Sequence, residues 1–181
     1  TALQAAYDAK QAGPAVDLAA QLAENYPTAD SWKSAFLVTR AITPMQAQES
    51  LDFGRLMVRT GSLKERSDYL SYIQDANPRR LPGETMKIID KAVAAGTLTN
   101  ADVADYRAIA KEGIAADQRS LPAYEKDARA PAAGFSTINA AADTLLSYDQ
   151  PAKAEELYKL ALAKAPAAEK DRVLTRLGIA Q

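Results

Sequence analysis

The sequence predicts an all-α protein, a stack of antiparallel helix hairpins, and three observations carry that reading. Apolar residues recur three and four apart inside windows of about 10–18 residues, the helical period. Alanine, the best helix former, makes up about a fifth of the chain. All nine prolines (14, 27, 44, 78, 82, 122, 131, 151 and 166) fall where one window ends and the next begins. Alternating β-branched runs closed by Asn-Gly or Asp-Gly turns are missing.

In chain order, a first helix is expected over about residues 1–12, ended by Gly13, and Pro14 opens a second that ends near Tyr26. A third runs from about Asp30 to Ile42 with Trp32, Ala35 and Phe36 on its buried side. Thr43-Pro44-Met45-Gln46 has the form of a capping box with proline at the first helical position, so a fourth helix starts there and stops at Gly61. Ser62-Leu63-Lys64-Glu65 is a second capping box, opening a helix that presents Tyr69, Leu70, Tyr72 and Ile73 up to Asn77-Pro78. The sixth helix begins at Leu81-Pro82 and ends at Gly96, and Thr99 with Asp102 caps a seventh. A short eighth is expected from Ser120, a ninth and tenth make the pair Ser136–Pro166, and an eleventh runs from about Glu169. Loops of two to six residues force sequential helices to be antiparallel neighbours.

The pair Ser136–Pro166 carries a resemblance. Ala154, Tyr158, Ala161 and Pro166 stand at the spacing that closes a tetratricopeptide repeat, with Ala142, Ile138 and Leu145 at the family's small and large apolar positions upstream. Leu177-Gly178 and Ala180 resemble the start of a following repeat, and Ala15, Leu18, Leu22, Pro27 and Trp32 echo the pattern nearer the beginning. The resemblance implies a tetratricopeptide-like α-solenoid with a right-handed superhelical groove lined by first helices. Residues 44–130 keep the hairpin rhythm but not the 34-residue repeat period. A compact all-α bundle is the alternative architecture.

Composition sets bounds on function. Apolar residues make up 48% and charged residues 25%, ordinary for a globular protein. The 22 basic and 23 acidic side chains are interleaved and leave a formal charge of −1, so no sustained basic surface for nucleic acid or anionic lipid is expected. No apolar run approaches the roughly 20 residues of a membrane span. The absence of Cys and His removes disulfides, thiol nucleophiles, His/Cys zinc sites and Ser-His-Asp triads. No glycine-rich phosphate loop or calcium loop is present, and no cofactor is expected. The lack of cysteine leans toward an exported, periplasmic bacterial protein. A chain that opens and closes inside helices reads as one helical-repeat domain, residues 1–181, taken from a longer protein.

Carboxylates are the remaining catalytic chemistry. Gln48-Glu49-Ser50 followed by Phe53 resembles the stretch around the acid of lytic transglycosylases, but the spacing to Phe53 is off by one and the downstream Gly-Leu-Met-Gln is missing. Glu49 is therefore expected to be a surface helix residue. Glu155 and Lys159, in the favourable i, i+4 order, read as a solvated face. Tyr69 and Tyr72 are expected in the core with Leu70 and Ile73, and Trp32 is expected to be buried.

The candidate binding residues follow from the resemblance. A groove lined by first helices would present Ser136, Asn139, Asp143 and Ser147, a polar wall suited to an extended polypeptide or a neighbouring copy of the chain. Asp143 opposes an anionic peptide terminus. Arg79 and Arg80, in the loop after Pro78, are placed to hold a carboxylate or phosphate, or simply to solubilise the loop. These observations point to a non-catalytic scaffold that binds a protein or peptide. The alternatives are the non-catalytic helical part of a larger, cell-wall-active enzyme, and a ligand-binding bundle with a closed apolar pocket.

Overall fold

A computed structural model of the chain describes residues 2–181, and among them stand ten α-helices, one 3₁₀ turn and no strand. Thr1, where the first helix was expected to begin, lies outside the described residues. The chain divides into two compact units that meet within one helix, the first ending at Tyr69 and the second running from Leu70 to Gln181.

The first unit holds α1 (Ala2–Asp8), α2 (Ala12–Asn25), α3 (Ala29–Ile42), α4 (Ala47–Arg59) and the start of α5 (Arg66–Ala76), with α1 to α4 each packed on the next. Lys10, at φ 55°, turns the chain before Gly13 is reached, so Gly13 and Pro14 lie in the first turn of α2 rather than between helices. Proline is tolerated there because the first turn has no N–H partners to lose. Thr28 caps α3, its hydroxyl accepting from the Ser31 N–H at 3.1 Å. Ala19, Ala23 and Ala35 bring α2 and α3 close, with Trp32 only half-buried against them. Trp32 stacks on Phe36 at 5.6 Å, and Phe36 meets Phe53 edge-on at 5.1 Å, which ties α3 to α4.

Two capping expectations are corrected in this unit. The α4 helix begins after Gln46, not at Thr43-Pro44, because Glu49 accepts the Gln46 N–H at 2.8 Å and closes the box three residues later. Ser62 ends α4 instead of opening α5. Gly61, at φ 68°, lets the Ser62 N–H reach Met57 O at 2.9 Å and its own N–H reach Val58 O at 3.2 Å, a Schellman closure. The same closure recurs at Gly96, with Thr97 bonded to Ala92 O at 3.0 Å and Gly96 to Val93 O at 3.0 Å. Each glycine is followed by a hydroxyl residue and a buried leucine, Leu63 or Leu98. The two turns are 35 positions apart, so the middle of the chain carries a repeat-length echo in its helix ends.

The second unit continues α5 and adds α6 (Pro82–Ala94), α7 (Ala104–Ala128), α8 (Phe135–Ser147), α9 (Pro151–Lys164) and α10 (Lys170–Ala180), the last after the 3₁₀ turn Ala167–Glu169. From α6 onward each helix packs on the next. The resemblance residues form the interior: Ile138, Ala142, Leu145, Ala154, Tyr158 and Ala161 are all 2% exposed or less. Tyr69 and Tyr72 are buried as expected, and the Tyr72 hydroxyl meets the Glu84 carboxylate at 2.6 Å.

The expected break at Ser120 does not occur. One 25-residue helix, α7, runs through both Gly113 and Pro122, which is why ten α-helices stand where eleven were expected. Pro122 forfeits a backbone bond to Gln118, but both residues face solvent, where water can take that carbonyl. Leu121 and Ala128 hold the same stretch down on its buried side. Gly113 is there for proximity: a Cβ would lie 3.1 Å from Pro82 Cγ, so glycine lets α7 cross the start of α6. Thr99 and Asp102 do bond to each other as a box, through N–H and hydroxyl at 2.8 Å each, but on a turn ahead of Ala104, where the regular helix starts.

Candidate functional site

Two polar features lie in the second unit, on different faces of α8. One is a built-in seam. Asp143 accepts from the Tyr158 hydroxyl of α9 at 2.7 Å with one oxygen and from Arg176 Nη1 of α10 at 2.7 Å with the other. The Arg176 side chain is 2% exposed and that of Asp143 15%, so this pair is a desolvated one. Asp143 and Arg176 are 33 residues apart. One turn earlier on the same two helices stand Asn139 and Arg172, also 33 apart, each with a buried polar atom that no protein group bonds among the described residues. The seam thus joins α8 of one helix pair to α10, the helix that follows the pair.

The other feature is an open cleft of about 460 Å³ between α7 and α8. Asp117, Tyr124 and Asp127 line it from α7. These three share a broad face because seven and ten positions are close to two and three helical turns. From α8 it is lined by small residues, Thr137, Ala140, Ala141 and Thr144, and the Thr144 hydroxyl is turned back onto Ala140 O at 2.8 Å. Arg80, from the loop before α6, also lines it. Its loop is set by Asn77, at φ 58°, whose side chain accepts the Arg79 N–H at 3.0 Å and whose carbonyl accepts the Arg80 N–H at 2.8 Å.

Hydrogen bonds and ion pairs tie together the elements around the cleft. Tyr148, the residue capping α8, donates its hydroxyl to Asp117 at 3.1 Å. Its ring lies so close to Gly83 that a Cβ there would be 2.6 Å from Tyr148 Cε1. Burial, with the neighbouring Asp117 charge and hydrogen bond adding to it, pushes the Tyr148 phenol above its ordinary value. Along the α7–α9 edge, Glu125 joins Lys153 at 2.8 Å and Arg129 at 3.1 Å, and Arg129 also holds Glu156 at 2.7 Å. Lys153 first, then Arg129, keeps the Glu125 carboxyl below the usual range. Lys164 donates to Ala133 O at 2.6 Å, fastening the loop between α7 and α8.

The sequence-derived candidates are spread over these features. Ser136 is exposed and Asn139 half-buried, Asp143 is taken up by the seam, and Ser147 is 1% exposed with no partner for its hydroxyl. Arg79 is exposed in the loop, and only Arg80 of the six lines the cleft. Glu49 serves as a helix cap. Asp117, Tyr124 and Asp127 escape the sequence reading because a break at Ser120 puts them on separate helices, and Arg176 because the reading of that helix rests on its neighbours Leu177, Gly178 and Ala180. An unbroken count of seven and ten along residues 104–128 would have aligned the first three.

Chemically, the cleft offers hydrogen bonds, an aromatic face and charge. Among the described residues no group of three or more carboxylates, histidines or cysteines is placed to hold a metal ion, and no helix is long and apolar enough to cross a membrane. Comparison with protein-family models, curated proteins and solved structures yields no match.

Proposed function

We propose that this protein is a non-catalytic scaffold that binds a segment of another polypeptide, and that the α7–α8 cleft is its docking site. The observation that carries the reading is the open cleft on a frame of successive helix pairs. The reading extends to a tetratricopeptide-like right-handed array, supported by the 33-residue offset of the Asp143–Arg176 pair and by the buried repeat residues. Arrays of this kind present long surfaces because each pair contacts only its neighbours. Ser136, exposed at the start of α8, extends the contact, with Arg79 beside Arg80.

The test is selection from a random peptide library on the immobilised full chain, followed by calorimetry on the enriched peptides. Micromolar binders are expected, an affinity of about −8 kcal/mol. Their binding should be lost in Ala140→Trp, which fills the cleft from an exposed position without entering the core. Failure to enrich any sequence, or binding indifferent to the tryptophan, refutes the assignment.

A further inference from the structure

We infer that the segment taken by the α7–α8 cleft is basic and extended, with two cationic side chains about four to five residues apart; this rests on the polypeptide-binding reading above. The charge pattern of the walls supports it. Asp127 is exposed and makes no ion pair among the described residues, while Asp117 accepts only the neutral Tyr148 hydroxyl. The facing helix offers these acids nothing in return, because α8 contains no lysine or arginine. Elsewhere in the unit, several exposed carboxylates are answered by cations, Asp90 by Arg107, Asp149 by Lys87 and Glu156 by Arg129, whereas Asp105, Glu112 and Asp171 stand apart on open surface. Two carboxylates against the single guanidinium of Arg80 leave the lining, among the described residues, with a net acidic charge.

Tyr124 supplies the second element. It is 43% exposed and stands on α7 between the two carboxylates. A guanidinium or ammonium group is attracted to such a ring face, most strongly where carboxylates flank it. The small side chains of α8 leave room for a backbone to lie against that wall. Spacing gives the register. Asp117 and Asp127 are ten residues apart, roughly 15 Å along a helix at 1.5 Å per residue. An extended chain covers that span in about four to five residues. Arg80 also lines the cleft and disfavours a cation placed directly against it, so the ligand cations belong beside the two carboxylates of α7.

The experiment uses the full chain and fluorescently labelled, end-blocked glycine-serine peptides that differ only at two positions about four residues apart: two arginines, two glutamines or two glutamates. The arginine peptide should bind most tightly, with its preference over glutamine shrinking as salt is raised. Asp127→Asn should weaken it by about two- to fivefold. Asp127→Lys should reverse the order in favour of the glutamate peptide, and Tyr124→Ala should weaken the arginine peptide while leaving the glutamine peptide unchanged. Amide shifts on adding the arginine peptide should centre on Thr137, Ala140 and Thr144. If the glutamine or glutamate peptide binds the wild-type cleft as well as the arginine one, the basic assignment is overturned while the docking site stands. Arginine-peptide shifts that map away from α7 and α8 overturn the site as well. A chain that binds none of the three, nor any library peptide, sinks both readings.

Discussion

Asp143→Ala gives the sharpest test of the frame. The wild-type carboxylate answers two buried partners, Arg176 at 2.7 Å and Tyr158 at 2.7 Å. Removing it takes the Asp143 carboxylate away from a guanidinium that is 2% exposed. Breaking such a buried pair from one side costs about 3–5 kcal/mol, because the remaining charge stays desolvated. The 15% exposure of the Asp143 side chain admits some water and places the expectation near the lower end, about 3 kcal/mol. For a protein of this size that is a fall in melting temperature of roughly 6–12 °C. Urea unfolding followed by far-ultraviolet circular dichroism measures it. Asp143→Asn keeps an acceptor for Tyr158 and should lie between wild type and alanine. Arg176→Met in the Asp143→Ala background removes the stranded charge and should recover most of the loss. A loss below about 1 kcal/mol, the range of a surface pair, refutes the buried-seam reasoning. So does a double variant no more stable than Asp143→Ala alone.

Other consequences are measurable in the same way. Gly83→Ala puts a Cβ 2.6 Å from the Tyr148 ring, and the overpacking of about 1–3 kcal/mol should outweigh the helix-propensity gain of up to about 1 kcal/mol; truncating Tyr148 as well should remove the penalty. Pro122→Ala restores a backbone donor inside α7 and should raise stability by about 1–3 kcal/mol, whereas no change would mean that a helix does start near Ser120. Since the Tyr148 phenol is raised in the folded state, the folded protein holds its proton when the unfolded chain, titrating near about 10, has released it. Its contribution is therefore complete below about pH 10 and is lost as pH climbs through the higher folded value. Ultraviolet titration should show late-ionising tyrosines, since burial raises Tyr69 as well, and Tyr148→Phe should remove one of them. Glu125 is shifted the other way, so its contribution is present above about pH 4.3 and fades as acid protonates it in the folded state. Carboxyl titration by NMR in Lys153→Met should bring Glu125 back toward its ordinary value.

Local chemistry made the helices legible. Periodic apolar residues, the capping oxygen of Thr28 and the glycines at 61 and 96 act over four or five residues, so their effect can be read without knowing the fold. The pair α8–α9 was legible for the same reason, since Ala142, Ala154 and Tyr158 encode a close crossing between adjacent segments joined by a short loop. Local signals misled where two of them competed. Pro44 and Ser62 each suggest a helix start, yet Glu49 and Gly61 form better hydrogen bonds a few residues away. At Pro122, packing of Leu121 and Ala128 outweighs one lost backbone bond, an outcome set by neighbours far along the chain.

The candidate site was less legible, because its geometry depends on which helix faces which. Asp143 was visible as a polar residue on a first helix, but its partner Arg176 lies 33 residues away, and only the packing of α10 beside α8 turns the two into a desolvated pair. The cleft depends on α7 continuing unbroken, which puts Asp117, Tyr124 and Asp127 on one wall, and on α8 turning small residues toward them. Sequence periodicity specifies which residues share a face of a helix. The direction that face points is decided by the burial of Ile138, Ala142 and Leu145 on the other side, a free energy summed over the whole unit.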